Sequence, residues 1–155
     1  MPVIQVIGSM FAGAGKAGDF AWMIRQSEYA DALFVFNDNE EQFRAHRDDP
    51  DGAFGCAPGG GNAIIRPHQC KNPPQASGIP TGSSGRGYTA LTPDVRQTID
   101  DAIGTIRELI ATERYRRLFY SAANEAGDLG TGIFDVHPDV KSYITARLKG
   151  ITCSA

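Results

Sequence analysis

Gly13-Ala14-Gly15-Lys16-Ala17-Gly18 is the first stretch whose residue types and spacing could do chemistry. A phosphate-cradling Walker A loop would need a glycine at position 10, where Met10 stands, and a hydroxyl after Lys16, where Ala17 stands. The stretch is therefore no NTP-hydrolysing loop. A looser anion-binding role remains, because exposed amides ahead of a helix attract phosphate. Gly13, Gly15 and Gly18 also meet the G-x-G-x-x-G dinucleotide spacing, with Asp38-Asn39 as the only acid near the distance a ribose contact requires. Gly127-Asp128-Leu129-Gly130-Thr131-Gly132 is a second such loop. Its consecutive amides suit an anion-binding nest, with the Thr131 hydroxyl as an added donor, or simply a tight turn.

Other constellations point less clearly to a reaction. His46, Cys56, His68 and Cys70 are ligand types for zinc, but they lack a C-x-x-C knuckle, so two thiols and two loop histidines is the simpler reading and no metal is expected. The H-x-E and P-C-x-x-C pairing of zinc deaminases is absent. So is the G-x-S-x-G elbow of α/β-hydrolases. Asp38, Asp128, Asp135 and His137 are candidates for a general acid or base, and each also suits a cap or turn. No catalytic set can be assigned and no cofactor is expected.

These residues need elements to position them. Val3 to Ile7 reads as a short buried strand ending at Gly8, and Asp19 as the cap of a helix running toward Tyr29. Leu33-Phe34-Val35-Phe36 is aromatic and β-branched, hence a second buried strand, ending in Asn37-Asp38-Asn39. Asn39 would cap a helix whose first turn holds Glu40 and Glu41. Residues 50–87 carry nine of the 18 glycines and six of the nine prolines, with a strand expected around Ala76 to Ile79. Thr92-Pro93 opens the clearest helix, with Val95, Ile99, Ala102, Ile103, Ile106, Leu109 and Ile110 on one face. Glu113 to Arg117 reads as that helix's basic C-terminus. A strand centred on Leu118-Phe119-Tyr120 and a helix from Pro138 complete the chain. Strands alternating with helices imply a single α/β domain over residues 1–155, with a largely parallel or mixed sheet. Ligands bind such sheets outside the carboxyl ends of the strands, where loops 8–18, 37–39, 80–87 and 124–132 fall.

Composition narrows the partners. The net charge of -3 offers no basic face for nucleic acid. No apolar run reaches the ~18 residues of a membrane span, and the first residues do not read as a signal peptide. Three cysteines are an odd count, which argues against a disulfide framework and for a reducing, cytoplasmic compartment.

Several blocks together resemble a group of small phage and bacterial proteins. Leu33 to Asn39 resembles their L-F-x-F-G-D-N block, and Gly59 to Arg66 their G-G-Q-A-x-x-x-R block. Ala76-Ser77-Gly78-Ile79-Pro80-Thr81 is similar to N-A-x-G-I-P-T-K, and Gly130-Thr131-Gly132 to the end of G-x-G-T-G. Asn37, Asn62 and Gly82 depart from the glycine, glutamine and lysine of those patterns. The group is macro-domain-like, which implies a three-layer α/β/α fold and an ADP-ribose-type nucleotide as ligand. It further implies Asp38 or Asn39 at the base or a ribose, Gly60, Gly61, Asn62 and Arg66 at the distal ribose or a phosphate, and Thr81 beside them. Gly130, Thr131 and Gly132 would cradle the pyrophosphate. Asp38 has a second reading as a cap for the following helix. For a phage-encoded chain in the host cytoplasm, the expected role is a sponge that sequesters a cyclic ADP-ribose-like immune signal. An ADP-ribosyl hydrolase or other nucleotide-signal-cleaving enzyme, and a ligand-free interaction domain, are the alternatives; the oligomeric state is left open, and a homo-oligomer with a site completed by a second subunit is compatible with the sequence.

Overall fold

Alternation along one strand sets the two faces of the sheet. Strand β2 (Ala32–Asn39) points Leu33 and Val35 to one side and Phe34 and Phe36 to the other, all buried. Such a strand needs cover on both faces, and it has it. The computed structural model describes residues 4–151. Their order is β1 (Gln5–Ser9), α1 (Phe20–Met23), β2, α2 (Glu40–Asp48), α3 (Ala53–Cys56), β3 (Ala76–Ser83), β4 (Arg86–Gly87), α4 (Pro93–Ala111), β5 (Arg117–Ser121) and α5 (Pro138–Gly150). Short 3-10 segments cover Ser27–Tyr29 and Gly61–Cys70.

The sheet order is β1-β5-β2-β3-β4. The first four strands are mutually parallel, and β4 closes antiparallel on β3. On one face Leu33, Val35, Ile79, Leu118 and Tyr120 pack with Ile99, Ile103 and Ile106 of α4 and Val140, Ile144 and Leu148 of α5. On the other, Phe34, Phe36 and Phe119 pack with Phe20 and Met23 of α1 and with Ala63 and Ile65. This is a three-layer α/β/α arrangement around a largely parallel sheet, as expected from the sequence. Among the described residues, no helix is long and apolar enough to cross a membrane.

The long helix starts as expected: the Thr92 side chain accepts from the Val95 amide and Pro93 occupies the first turn. Asn39 caps α2 by accepting from Gln42 N at 2.8 Å. His137 caps α5 by accepting from the Asp139 amide.

Four local expectations are corrected. Asn37, Asp38 and Asn39 are not a turn; they continue β2, paired with Ile79, Pro80 and Gly82 of β3. The helix after Asp19 is a single turn: beyond it the backbone bonds tighten to i→i−3, Arg25 N to Trp22 O and Gln26 N to Met23 O, and the Asp19 carboxylate accepts from Gly15 N instead of capping the helix. Glu113 to Arg117 is no helix end: α4 stops at Ala111, Glu113 turns the chain at φ 62°, and Arg117 opens β5 paired with Asp31 at 2.7 Å. The first strand runs from Gln5 to Ser9; its expected start, Val3, lies outside the described residues.

Cys56 and Cys70 form a disulfide, contrary to the expectation from an odd cysteine count. That count forbids only complete pairing. Residues 53–70 fold back on themselves and bring the two Cα atoms to 6.0 Å, and Cys153 lies outside the described residues. The cysteine count therefore no longer argues for a reducing compartment.

Candidate functional site

Strands β1 and β5 are neighbours, yet the chain leaves them in opposite directions. From β1 it runs through residues 10–18 to α1, on the Phe34 face. From β5 it runs through residues 122–137 to α5, on the Leu33 face. This is a topological switch point, where open α/β sheets form a crevice beyond the carboxyl ends of their strands.

Ser121, the last residue of β5, ties three loops together there. Its carbonyl accepts from Gly130 N at 2.9 Å, and its hydroxyl accepts from Asn62 Nδ2 at 3.0 Å. Asn62 Nδ2 also donates to Gly18 O, and Asn62 Oδ1 accepts from Phe20 N at 3.0 Å. One asparagine thus joins the end of the 10–18 loop, the start of the 3-10 segment and β5. On the opposite face Asn37 Nδ2 donates to Gly130 O at 2.7 Å. Asn37, where the resembled block has glycine, thus holds the late glycine loop.

Glycine is required here for two separate reasons. A Cβ on Gly18 would lie 2.1 Å from Met10 O, and one on Gly130 would lie 3.0 Å from Ala122 C, so these positions permit close backbone packing. Gly61 (φ 56°) and Gly132 (φ 61°) are instead exposed left-handed turns, with nothing within 4 Å of a Cβ. Gly60 is exposed and equally open, with an ordinary φ of -80°. The backbone at 60–61 and at 132 is open to solvent, beside the exposed side chains of Ile133 and Phe134, and Lys16 lies exposed in the 10–18 loop.

Behind this edge lies an ion pair sealed from water. Arg66 donates to Asp38 Oδ1 through Nε at 3.1 Å and Nη2 at 2.7 Å, and both side chains are at most 2% exposed. Arg66 Nη1 reaches Ala57 O at 2.8 Å, and its guanidinium lies 5.7 Å from the Phe36 ring centre. A Cβ on Gly59 would strike that guanidinium. The pair therefore sets the path of residues 57–59, just before the exposed Gly60. Burial raises the Asp38 carboxyl above the ordinary range, while Arg66 pulls in the opposite direction. Asp38 Oδ2 has no hydrogen-bond partner and sits against Gly78, where a Cβ would lie 2.5 Å away.

The predicted residues thus fall into two groups. Gly60, Gly61, Thr131 and Gly132 lie on the loops at the sheet edge, with Gly130 anchored beneath by Asn37 and Ser121. Asp38, Asn39, Asn62, Arg66 and Thr81 are engaged with the protein itself. Asn39 caps α2, the Thr81 hydroxyl is buried and faces Asp38 O at 3.5 Å, and the Thr131 hydroxyl closes its own turn on Phe134 O. Of the candidate acids and bases, Asp128 is bound to Asn124 and His137 caps α5. Three aromatic side chains that could stack on a base differ in access: Phe11 is 67% exposed on the 10–18 loop, Trp22 is half-buried and Tyr88 is buried with its hydroxyl on Glu40. Gly82 leaves no room for the pattern's lysine, since a Cβ there would lie 2.1 Å from Arg86 O.

Ser121 and Asn37 were not singled out from sequence as site residues. Their signal is their place: each is the first polar residue after an apolar strand centre. One groove runs along α4 at Arg96 and Asp100, and another lies between Tyr88 and His137. Comparison with known proteins adds no relative: no family model, no curated protein and no solved structure matches the chain.

Proposed function

We propose that this protein binds an ADP-ribose-type nucleotide without a covalent step, at the edge where β1 and β5 diverge. One observation carries the reading: Asn62 and Asn37 draw the exposed Gly60–Gly61 backbone and the Gly130–Gly132 loop to the same switch point. Backbone amides at glycine turns bind phosphate oxygens without requiring a charged side chain. Lys16 adds a cation, and exposed Phe11 offers a ring to the base. Asp38 and Arg66 act indirectly, by setting the loop that presents Gly60. The resemblance to macro-domain-like proteins supports the same ligand class. In a phage setting, such binding would withdraw a cyclic ADP-ribose-like signal from its receptor.

The test is a thermal-shift series with ADP-ribose, cyclic ADP-ribose isomers and cyclic dinucleotides, followed by denaturation and chromatography of what is released. At a ligand concentration of 100 Kd the fold gains about 2.7 kcal/mol, an easily read shift. Stabilisation by an ADP-ribose-type compound with intact release supports sequestration. An altered product makes the protein an ADP-ribosyl hydrolase. No shift with any of them removes the nucleotide reading and leaves an interaction domain.

A further inference from the structure

The disulfide has a third donor beside it. His46 Nδ1 lies 3.7 Å from Cys70 Sγ, and the ligand atoms of His46, Cys56 and Cys70 all fall within 4.8 Å of one another. They come from three elements: His46 from α2, Cys56 from the end of α3, and Cys70 from the end of the 3-10 segment. Gly55 makes this approach possible, since a Cβ there would lie 2.7 Å from the His46 backbone. His68, the fourth residue of the sequence-level set, is elsewhere, with its Nδ1 3.0 Å from Lys71 Nζ.

We propose that the reduced protein binds one zinc ion through Cys56 Sγ, Cys70 Sγ and His46 Nδ1, with water in the fourth position. The chemistry of the donors fits: two thiolates and an imidazole are the ligands zinc prefers. The geometry fits as well. Tetrahedral zinc with ordinary bond lengths sets sulfur–nitrogen edges of about 3.6 Å and a sulfur–sulfur edge of about 3.8 Å. The observed 3.7 Å from His46 to Cys70 already matches the first. The second needs only side-chain rotation once the disulfide opens, because the Cα atoms stay 6.0 Å apart. His46 suits the role as a neutral imidazole: burial lowers its pKa, while Asp38 and Asp51 pull the other way.

Zinc and the disulfide exclude each other. A phosphine reductant gives the disulfide two electrons and leaves as its oxide, taking oxygen from water, whose two protons end on the sulfurs. Zinc then displaces those two protons from the two thiols. The zinc proposal does not depend on the nucleotide reading.

The experiment compares phosphine-reduced and oxidised full-length protein, titrated with zinc against a chromophoric chelator and with cobalt in the spectrophotometer. Reduced protein and a reduced Cys153→Ser variant should each bind one metal per chain, with a thiolate-to-cobalt charge-transfer band. The oxidised protein should show neither. Reduced His46→Ala should bind at least ~100-fold more weakly, a loss no smaller than a disturbed ligand shell causes. The proposal is overturned if reduced and oxidised protein bind alike, if His46→Ala binds as the parent does, or if binding is lost in Cys153→Ser. Circular dichroism of each reduced protein, compared with the oxidised parent, restricts the comparison to folded proteins.

Discussion

Asn62 Nδ2 donates to Ser121 Oγ at 3.0 Å, across 59 residues of sequence, and so clamps a glycine loop onto the end of a central strand. The same side chain serves Phe20 N and Gly18 O. Asn62→Ala removes all of these bonds and leaves a partly buried amide without an acceptor. A net bond is worth ~0.5–1.5 kcal/mol, and an orphaned buried donor costs ~1–3 kcal/mol. Urea unfolding should show a loss of about 2–4 kcal/mol for Asn62→Ala. Ser121→Ala removes one partner and should cost less.

The Asp38–Arg66 pair should respond more strongly. Removing one member of a sealed ion pair leaves a buried, unpaired charge and costs ~3–5 kcal/mol. Arg66→Met and Asp38→Asn should each fall in that range by chemical denaturation. The double variant should lose less than the sum of the two, because neither charge is then stranded.

The 10–18 loop separates two uses of glycine. Gly15 has φ 73° in open space, so Gly15→Ala pays only the left-handed cost of ~1–2 kcal/mol. Gly18 has φ 92° and its Cβ would overlap Met10 O, so Gly18→Ala should cost a further ~1–3 kcal/mol. Melting temperatures of the two variants check the order, and Trp22 fluorescence should change only in Gly18→Ala.

Acidification should destabilise the oxidised, metal-free protein through His46. Burial holds the folded His46 below its ordinary value near 6.5, so the unfolded chain takes up the proton first. Stability therefore falls as pH drops below about 6.5 and levels off once the folded imidazole titrates. His68, also lowered by burial, acts with the same sign. Asp38, raised by burial, acts with the opposite sign and gains stability as pH falls through its folded value. Urea midpoints measured from pH 7.5 to 5 should decline in the parent and decline less in His46→Gln.

Much of the architecture was legible because pattern and position agreed. Thr92-Pro93 ahead of a continuous apolar stripe gave α4, and Leu33 to Phe36 gave the doubly covered core of β2. The end of β2 was not legible, since Asn37, Asp38 and Asn39 are turn formers by composition. Their strand conformation comes from pairing with β3, a contact between residues about 40 positions apart. The cysteine pair failed for a similar reason: a 14-residue separation has no local signature until the 3-10 segment folds back on α3. At the site, sequence located the glycine loops but not what holds them. Arg66 and Asn62 offered free polar groups on paper, and the fold uses both to fix backbone.

Gly60 offers the most direct test of the nucleotide site. It is exposed, has an ordinary φ and has open space at its Cβ, so Gly60→Asp adds a negative charge at the sheet edge without strain. Calorimetric titration of ADP-ribose into the parent and into Gly60→Asp, with melting temperatures measured in parallel, is the deciding measurement. Saturable one-to-one binding by the parent, weakened at least ~10-fold in a variant of unchanged stability, is the predicted result, equivalent to ~1.4 kcal/mol of lost affinity. Equal affinity in the two proteins, or no binding by the parent, would contradict the assignment of this edge as a nucleotide site.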